Sequence, residues 1–167
     1  MPDDSIVLFS LGSNIGDKIG NINKAIKLLR ESGIVRDIQI SSYYETEPYG
    51  YLEQPWFINL VLRAKCKISP IKLLLLCKSI EHEVGRKARA KWHEREIDID
   101  LILFGNEVVE DEQLTIPHPA MQDRLFVLLP AAEIAGELIN PKLGLDIKTL
   151  LITCKDRSSV KLIETPA

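Results

Sequence analysis

The sequence predicts an α+β fold in which one antiparallel sheet carries helices on one of its faces. Segments with the two-residue period of strands alternate with segments of helical period. Their order along the chain is strand, helix, strand, strand, helix, strand. This is the split βαβ order of ferredoxin-like sandwiches. We therefore expect a ferredoxin-like core with four antiparallel strands, to which the C-terminal elements are added.

Three segments build the first half of this fold. Ile6 to Leu11 is wholly apolar, as is typical of a buried strand. The next segment is predicted to be a helix that ends at Gly33. Its apolar residues recur at helical spacing: Ile19, Ile22, Ile26 and Leu29. Val35 to Thr46 is expected to form the second strand.

The second half repeats this pattern. Phe57 to Ala64 predicts the third strand, and Ser69-Pro70 and Gly85 mark the two ends of the second helix. Residues 97–104 alternate and predict the fourth strand. One face of these two strands should pack on the helices, through Ile58, Leu60, Leu62, Ile99, Leu101 and Leu103. The opposite, open face would then carry Phe57, Asn59, Asp98 and Asp100.

The loop between the first strand and the first helix, residues 12–17, reads GSNIGD and has two interpretations. Glycines ahead of a helix can cradle an anion, or they can simply form a turn. The sequence contains neither G-x-x-x-x-G-K-[ST] nor G-x-G-x-x-G. Any triphosphate would therefore have to be held by side chains and metal ions.

Residues 85–104 join a basic loop to two acids on one strand. Arg86, Lys87, Arg89, Lys91 and Arg95 surround Trp92, and Asp98 and Asp100 follow two residues apart. Paired carboxylates bind hard divalent cations, and arginine forks match phosphate oxygens. The stretch therefore suggests a polyphosphate held through Mg²⁺, although a solvated basic loop before an acidic edge strand would give the same pattern.

Bulk properties limit the classes of function. The 167 residues are expected to form a single domain, 1–167, with a frayed tail from about residue 155. A formal net charge of −3 argues against a surface that binds a nucleic-acid backbone. Three scattered cysteines, an acidic start and the absence of a long apolar run suggest a soluble cytoplasmic protein without a membrane partner. A monomer is expected.

Several motifs in order give the chain a resemblance to a known family. These are LGSNIGD, SSYYETEPYG, QPWFINLV, GR followed by W and R-x-x-D-I-D-L-I-LFG, and LTIPHP followed by R-L-F. Together they cover roughly residues 6–141, and the chain resembles 6-hydroxymethyl-7,8-dihydropterin pyrophosphokinases. Members of this family move a diphosphoryl group from ATP to a pterin alcohol in the folate pathway and have a ferredoxin-like sandwich.

The resemblance implies roles for particular residues. Asp98 and Asp100 would hold two Mg²⁺ ions on the ATP phosphates, and Arg86, Lys91 and Arg95 would supply phosphate contacts beside them. The other positions implied for ATP are Glu81, Trp92, Ile99, His118 and Arg124. The pterin would lie between Phe57 and Phe126, with Thr46 and Asn59 at its polar edge and the backbone of Tyr49 completing the pocket.

The expected reaction is in-line attack of the pterin hydroxymethyl oxygen on the β-phosphorus of ATP, with AMP as the leaving group. Two alternatives stay open at this point. The first is a ferredoxin-like module that binds RNA through sheet aromatics and the basic loop, against which stand the negative net charge and the acids on the sheet. The second is a kinase with the same metal chemistry that releases ADP.

Overall fold

The computed structural model describes residues 4–163. The strands are β1 (Ser5–Ser13), β2 (Val35–Ile40), β3 (Tyr43–Thr46), β4 (Phe57–Cys66), β5 (Asp98–Phe104), β6 (Val109–Glu110), β7 (Thr115–Ile116), β8 (Ile139–Asn140), β9 (Leu145–Asp146) and β10 (Val160–Ile163). The helices are α1 (Lys18–Glu31), α2 (Pro70–Val84), α3 (Leu125–Ala135) and α4 (Ile147–Thr153), and a 3₁₀ turn spans Met121–Asp123. No helix within this described range is both long and apolar enough to cross a membrane.

Within residues 4–163 the main sheet has six antiparallel strands, so the α+β class is confirmed and the predicted four-stranded sheet is too small. Its order is β10-β3-β4-β1-β5, and β2 also pairs with β4. The predicted second strand is in fact two strands, because the chain turns at Ser41 and Ser42. There Ser41 exchanges hydrogen bonds with Val61 of β4, using its backbone N–H (2.9 Å) and its hydroxyl oxygen (3.0 Å).

The prediction of a frayed tail is wrong for residues 155–163, and residues 164–167 lie outside the described part of the chain. β10 pairs with β3, with Val160 opposite Thr46. Asp156 accepts a hydrogen bond from the N–H of Leu125 at 2.9 Å. The pairing joins segments more than a hundred residues apart, and such long-range contacts leave no local pattern in a sequence.

Helices cover both faces of the sheet, whereas the sequence predicted them on one. α1 and α2 pack on the first face through Ile22, Leu29, Leu73 and Cys77. α3 and α4 pack on part of the second face, against Leu8, Val61, Ile102 and Leu103. The rest of this face stays open around the site described below.

A bulge in β5 corrects one predicted side-chain direction. Leu101 is paired with Phe9 and Leu103 with the preceding residue, Leu8, so β5 has one extra residue between them. Leu103 therefore packs toward α3 instead of toward α1 and α2. The residues before the bulge keep the predicted alternation, with Ile99 in the core between Asp98 and Asp100.

The ends of the first two helices agree with the sequence. Pro70 begins α2 after Ser69, and Gly85 ends it with a φ of 115° that favours glycine. In α1 the Asp17 carboxylate accepts from the N–H of Gly20. A carboxylate already caps this helix and would repel an anion, so the GSNIGD loop is better explained as a turn than as a phosphate nest.

Candidate active site

A cleft lies on the sheet face that is turned away from α1 and α2. It has about 530 Å³ of space, part of it open to solvent, which falls in the size range of small-molecule sites. Strands β1, β4 and β5 form its floor, and neighbouring loops and the start of α3 form its walls. The residues that line it are Ser10, Gly12, Thr46, Glu47, Tyr49, Phe57, Asn59, Trp92, Arg95, Asp98, Asp100, Arg124 and Phe126.

One part of the cleft combines two aromatic rings with a buried amide. Phe57 begins β4, and Phe126 lies in the first turn of α3. Asn59 follows two residues after Phe57 on the same strand and donates from Nδ2 to Thr46 Oγ1 at 2.6 Å. This part offers two ring faces and a fixed amide edge, which suit a flat polar heterocycle.

Gly12 lets the Asn59 amide approach β1. The two residues are opposite each other in the β1–β4 pair. A Cβ atom at position 12 would lie only 2.2 Å from Asn59 Oδ1 and 3.5 Å from Phe57 Cδ1. The missing side chain at this position therefore provides the room that the Asn59 amide occupies.

Two carboxylates stand side by side elsewhere on the cleft floor. Asp98 and Asp100 lie two residues apart on β5 and share a face of the sheet. Their partners on β1 are Gly12 and Ser10, whose small size leaves the carboxylates room. Arg95 donates from Nη1 to Asp98 Oδ2 at 2.7 Å. Two adjacent carboxylates and an arginine thus meet in one place.

The electrostatics of this pair favour a bound cation. Burial, and after it the negative charge of Asp98, raise the pKa of Asp100 to about 7. A divalent ion beside the two carboxylates would relieve both costs, and Mg²⁺ prefers such oxygen ligands. Among residues 4–163, no cluster of three or more His, Cys, Asp or Glu side chains is arranged to hold a metal ion. The pair therefore fits an ion that takes its other ligands from phosphate oxygens and water.

Glu81 and Arg86 lie behind the acid pair and do not line the cleft. Glu81, on α2, is 3% exposed and accepts from the N–H of Ile99 at 2.8 Å. Arg86 Nη1 donates to Glu81 Oε2 at 2.8 Å and to Asp98 Oδ1 at 3.0 Å. Burial raises the pKa of Glu81, and the Ile99 N–H and the Arg86 charge oppose this rise. Glu81 therefore ties β5 and Arg86 to α2.

The basic loop forms a second concavity beside the cleft, lined by Arg86, Lys87, Arg89, Ala90, Lys91, His93, Glu94 and Arg95. Arg89 makes a bidentate ion pair with Glu96, in which Nη1 and Nη2 donate to Oε1 and Oε2 at 2.7 and 2.8 Å. This hydrogen-bonded partner lowers the pKa of Glu96 to about 2. Lys91 Nζ lies 5.0 Å from the centre of the Trp92 ring. The loop is therefore partly neutralised by its own acid, and Lys91 faces the second concavity.

His118 is half-buried in the segment between β7 and the 3₁₀ turn and does not line the cleft. Its backbone N–H donates to the Ile102 carbonyl at 2.9 Å, and its Nδ1 accepts from the N–H of Ala120 at 3.2 Å. Burial, followed by the charge of Arg124, lowers the pKa of His118 to about 4. The imidazole is therefore neutral at pH 7, with its proton on Nε2.

Arg124 joins the wall of the cleft to the loop that carries Tyr49. Its guanidinium carbon lies 4.9 Å from the Tyr49 ring centre and 5.7 Å from that of Phe126. Within the described residues its buried Nε has no hydrogen-bond partner. A buried guanidinium N–H without an acceptor is costly, so this atom is a candidate donor to a bound ligand.

Residues 47–56 and the basic loop interlock above the cleft. The Tyr49 and Trp92 ring centres are 5.9 Å apart, and Tyr51 stacks on His93 at 4.3 Å. A Cβ atom at Gly50 would lie 2.9 Å from Trp92 Cγ, so the indole packs directly on that glycine backbone. A movement of either loop therefore has to disturb the other.

Ten of the fifteen predicted site residues line the cleft, and Glu81, Arg86, Lys91, Ile99 and His118 do not. The Ile99 side chain belongs to the core, and only its backbone N–H takes part in the surroundings of the site. Ser10, Gly12 and Glu47 also line the cleft and were not among the predicted site residues. Ser10 and Gly12 were detectable, because they occupy the strand next to the two acids; Glu47 had no distinguishing signal.

Comparisons with known proteins show the family of this chain. The family model of 7,8-dihydro-6-hydroxymethylpterin-pyrophosphokinase (HPPK) matches residues 8–136. The chain is 42% identical over 135 residues to a 2-amino-4-hydroxy-6-hydroxymethyldihydropteridine pyrophosphokinase of Bacillus subtilis, covering 81% of each chain. It is 44% identical over 135 residues to the protein of the same name from Aquifex aeolicus, covering 81% of this chain and 83% of that protein.

A solved structure supports the fold independently. The crystal structure of wild-type Plasmodium falciparum HPPK-DHPS superposes with a TM-score of 0.69 at 16% identity. The superposition covers 91% of this chain but only 45% of the Plasmodium chain, so this protein spans less than half of that relative. The family model extends over most of the described residues and includes the cleft. The chain belongs to the 7,8-dihydro-6-hydroxymethylpterin-pyrophosphokinase family.

Proposed function

We propose that this protein transfers the diphosphoryl group of ATP to the hydroxymethyl oxygen of 6-hydroxymethyl-7,8-dihydropterin and releases AMP, a step of folate synthesis. One observation carries the proposal for this cleft. In a chain of the pyrophosphokinase family, a single cleft joins an aromatic pair and a fixed amide to two adjacent carboxylates with an arginine on them. The first part suits a pterin and the second a metal-bound polyphosphate.

The pterin is proposed to bind between Phe57 and Phe126. A flat heterocycle stacks well between two rings, and its polar edge needs partners that are already oriented. Asn59 and Thr46 supply these, because their mutual hydrogen bond fixes the direction of both side chains. The backbone around Tyr49 would complete the pocket. The selectivity for a pterin would then come from the amide and hydroxyl, and the affinity from the rings.

Asp98 and Asp100 are proposed to hold Mg²⁺, with two ions expected. The raised pKa of Asp100 and the proximity of the two carboxylates make them suitable for a cation. When bound, the ions would neutralise phosphate charge and align the triphosphate for attack at the β-phosphorus. The contribution of the chain is to hold both carboxylates on one strand face and to position the pterin alcohol beside them.

The nucleotide is proposed to use cationic side chains around the acids. Arg95 and Arg86 each bond to Asp98 in the structure, so phosphate oxygens would compete with that carboxylate for both guanidinium groups. Arg124 has a buried Nε without a partner among the described residues, which a ligand oxygen could satisfy. Trp92 offers a ring at the mouth of the cleft, and Lys91 offers charge from the second concavity.

Glu81, Ile99 and His118 are proposed to act from behind the cleft. Glu81 holds the Ile99 N–H and Arg86 in place, and neutral His118 can donate from Nε2. We name no general base, because none of the described residues places an imidazole in the lining of the cleft, and the acid pair Asp98 and Asp100 is proposed to hold the metal ions.

Several further properties are proposed. The inner strands β3-β4-β1-β5, with α1 and α2 on one face, support a ferredoxin-like description to which β2 and β10 are additions. A cytoplasmic monomer that binds only small molecules is expected, since the lining residues proposed for both substrates belong to one chain.

Nucleotide product analysis tests this function. The protein is mixed with Mg-ATP and 6-hydroxymethyl-7,8-dihydropterin, and the nucleotides are separated by anion-exchange chromatography. AMP that forms only when metal and pterin are both present supports the proposal. ADP as the product would favour a simple kinase with the same metal chemistry, and the absence of any turnover by folded protein would refute both.

A further inference from the structure

Two buried amides lie beneath the interlocked loops, outside the lining of the cleft. Asn14, just after β1, is fully buried, and Gln54 is 8% exposed. Asn14 Nδ2 donates to Gln54 Oε1 and to the Pro55 carbonyl, both at 2.9 Å. Asn14 Oδ1 accepts from the backbone N–H of Arg95 at 2.8 Å. The Asn14 amide therefore has every donor in use and contacts both loops.

Gln54 completes the connection. Its Nε2 donates to the carbonyls of Tyr51 and Trp92 while its Oε1 accepts from Asn14. The backbone N–H of Asn14 also donates to the Arg95 carbonyl at 3.1 Å. Three segments that are distant in sequence thus meet in one network of hydrogen bonds: the end of β1, residues 47–56 and residues 86–97.

The hydrogen-bond network holds two residues that line the cleft, Trp92 and Arg95. Trp92 has a φ of 72°, a left-handed conformation that is unfavourable for a bulky side chain and persists only where its surroundings impose it. Gln54 holds the carbonyl of this residue. Asn14 holds Arg95 by both backbone groups, and the Arg95 side chain reaches Asp98.

We propose that Asn14 and Gln54 are a pair of positioning residues that locks the two loops together and so presents Trp92 and Arg95 to the cleft. Neither residue lines the cleft, so the pair acts through the loops. The kinetic consequence rests on the proposed function, whereas the conformational consequence does not.

The chemistry of the amides makes the pair sensitive to small changes. In Asn14→Asp the donor Nδ2 is replaced by an oxygen that faces the Pro55 carbonyl, which cannot rotate away. In Gln54→Glu an oxygen faces the Tyr51 and Trp92 carbonyls. Repulsion between these oxygens would push the loops apart, and a displacement of about 1 Å in an active site can cost on the order of 100-fold in rate.

The experiment compares Asn14→Asp and Gln54→Glu with Gln39→Glu, which adds the same charge as Gln54→Glu at an exposed position on β2. All variants are made in a Trp56→Phe background, so that Trp92 is the only tryptophan. Two quantities are measured: the steady-state rate of AMP formation, and the quenching of Trp92 fluorescence by acrylamide. The fold of each variant is checked by circular dichroism.

We expect both amide variants to lower kcat about tenfold or more and to increase the quenching of Trp92, with Gln39→Glu unchanged in both. Gln54→Met keeps the volume and adds no charge; it should change both quantities in the same direction even if the charged variants fail to fold. The proposal is overturned if folded variants keep wild-type kcat and quenching, or if kcat falls without any change in quenching. If the parent protein forms no AMP, the proposed function fails, and the quenching comparison still decides the positioning role.

Discussion

Replacing Gly12 by alanine tests whether the Asn59 amide needs the space that the missing side chain at position 12 leaves beside it. The added Cβ would lie 2.2 Å from Asn59 Oδ1, whereas ordinary contact begins at 3.4 Å. Asn59 would have to retreat by roughly the difference between these two distances. Its hydrogen bond to Thr46, 2.6 Å long, cannot survive such a movement unchanged.

The expected loss of stability follows from the disturbed hydrogen bond between Asn59 and Thr46. A buried polar group that loses its partner costs about 1–3 kcal/mol, so the free energy of unfolding should fall by about that amount. The amide would also be misplaced for the pterin edge, and a loss of about 1.4 kcal/mol corresponds to a tenfold weaker affinity. We therefore expect pterin to bind tenfold or more weakly, and the affinity for ATP to change much less.

Calorimetric titration of pterin in the presence of a non-hydrolysable ATP analogue measures this effect, and urea denaturation measures the stability. Gly136→Ala is the matched control, because its new Cβ would lie 3.2 Å from the Ala132 carbonyl, a contact relieved by a few tenths of an ångström, at the far end of α3. A Gly12→Ala protein that binds pterin as tightly as the parent would refute the reasoning.

Three further predictions concern the charged residues. Asp98→Asn should reduce AMP formation by at least 100-fold while circular dichroism stays that of the parent, because the substitution removes a proposed metal ligand from the cleft. Near-normal activity would exclude the metal role. The affinity for Mg²⁺ should fall by up to about tenfold per pH unit below pH 7 and level off above it, because protons compete for Asp100, whose pKa is raised to about 7. Calorimetry with the ATP analogue measures this affinity, and a value independent of pH between 5 and 7 would contradict the prediction. Asp156→Ala should lower the free energy of unfolding in urea by about 1 kcal/mol, because it removes the acceptor of the Leu125 N–H at the start of α3; an unchanged transition would show that the cap is unimportant.

The sequence predicted those helices and strands that a pattern of neighbouring residues defines. Residues 57–64 and 97–101 alternate, and α1 and α2 carry clear stripes and end signals, so these elements could be placed before any coordinates were known. The break at Ser41 and the bulge after Leu101 are irregularities of pairing, and they depend on which strand lies alongside. β10 was missed for the same reason, since its partner β3 is far away in sequence.

The site residues also divide into those that a local pattern predicts and those whose contacts depend on distant parts of the chain. Phe57, Asn59, Asp98 and Asp100 were found because strand periodicity puts their side chains on one face. The contact of Glu81 with the Ile99 N–H of β5 could not be predicted, because no sequence pattern shows which backbone group a helix residue reaches. Its expected role at the nucleotide stays a prediction.

The fate of the β-phosphate tests the central claim most directly. ATP carrying ³²P at the β position is mixed with Mg²⁺, 6-hydroxymethyl-7,8-dihydropterin and the protein, and the products are separated. We predict that the label leaves the nucleotide and appears in the pterin product together with the γ-phosphate, in step with the formation of unlabelled AMP. A label that stays in the nucleotide, as ADP, would contradict attack at the β-phosphorus and with it the proposed diphosphoryl transfer.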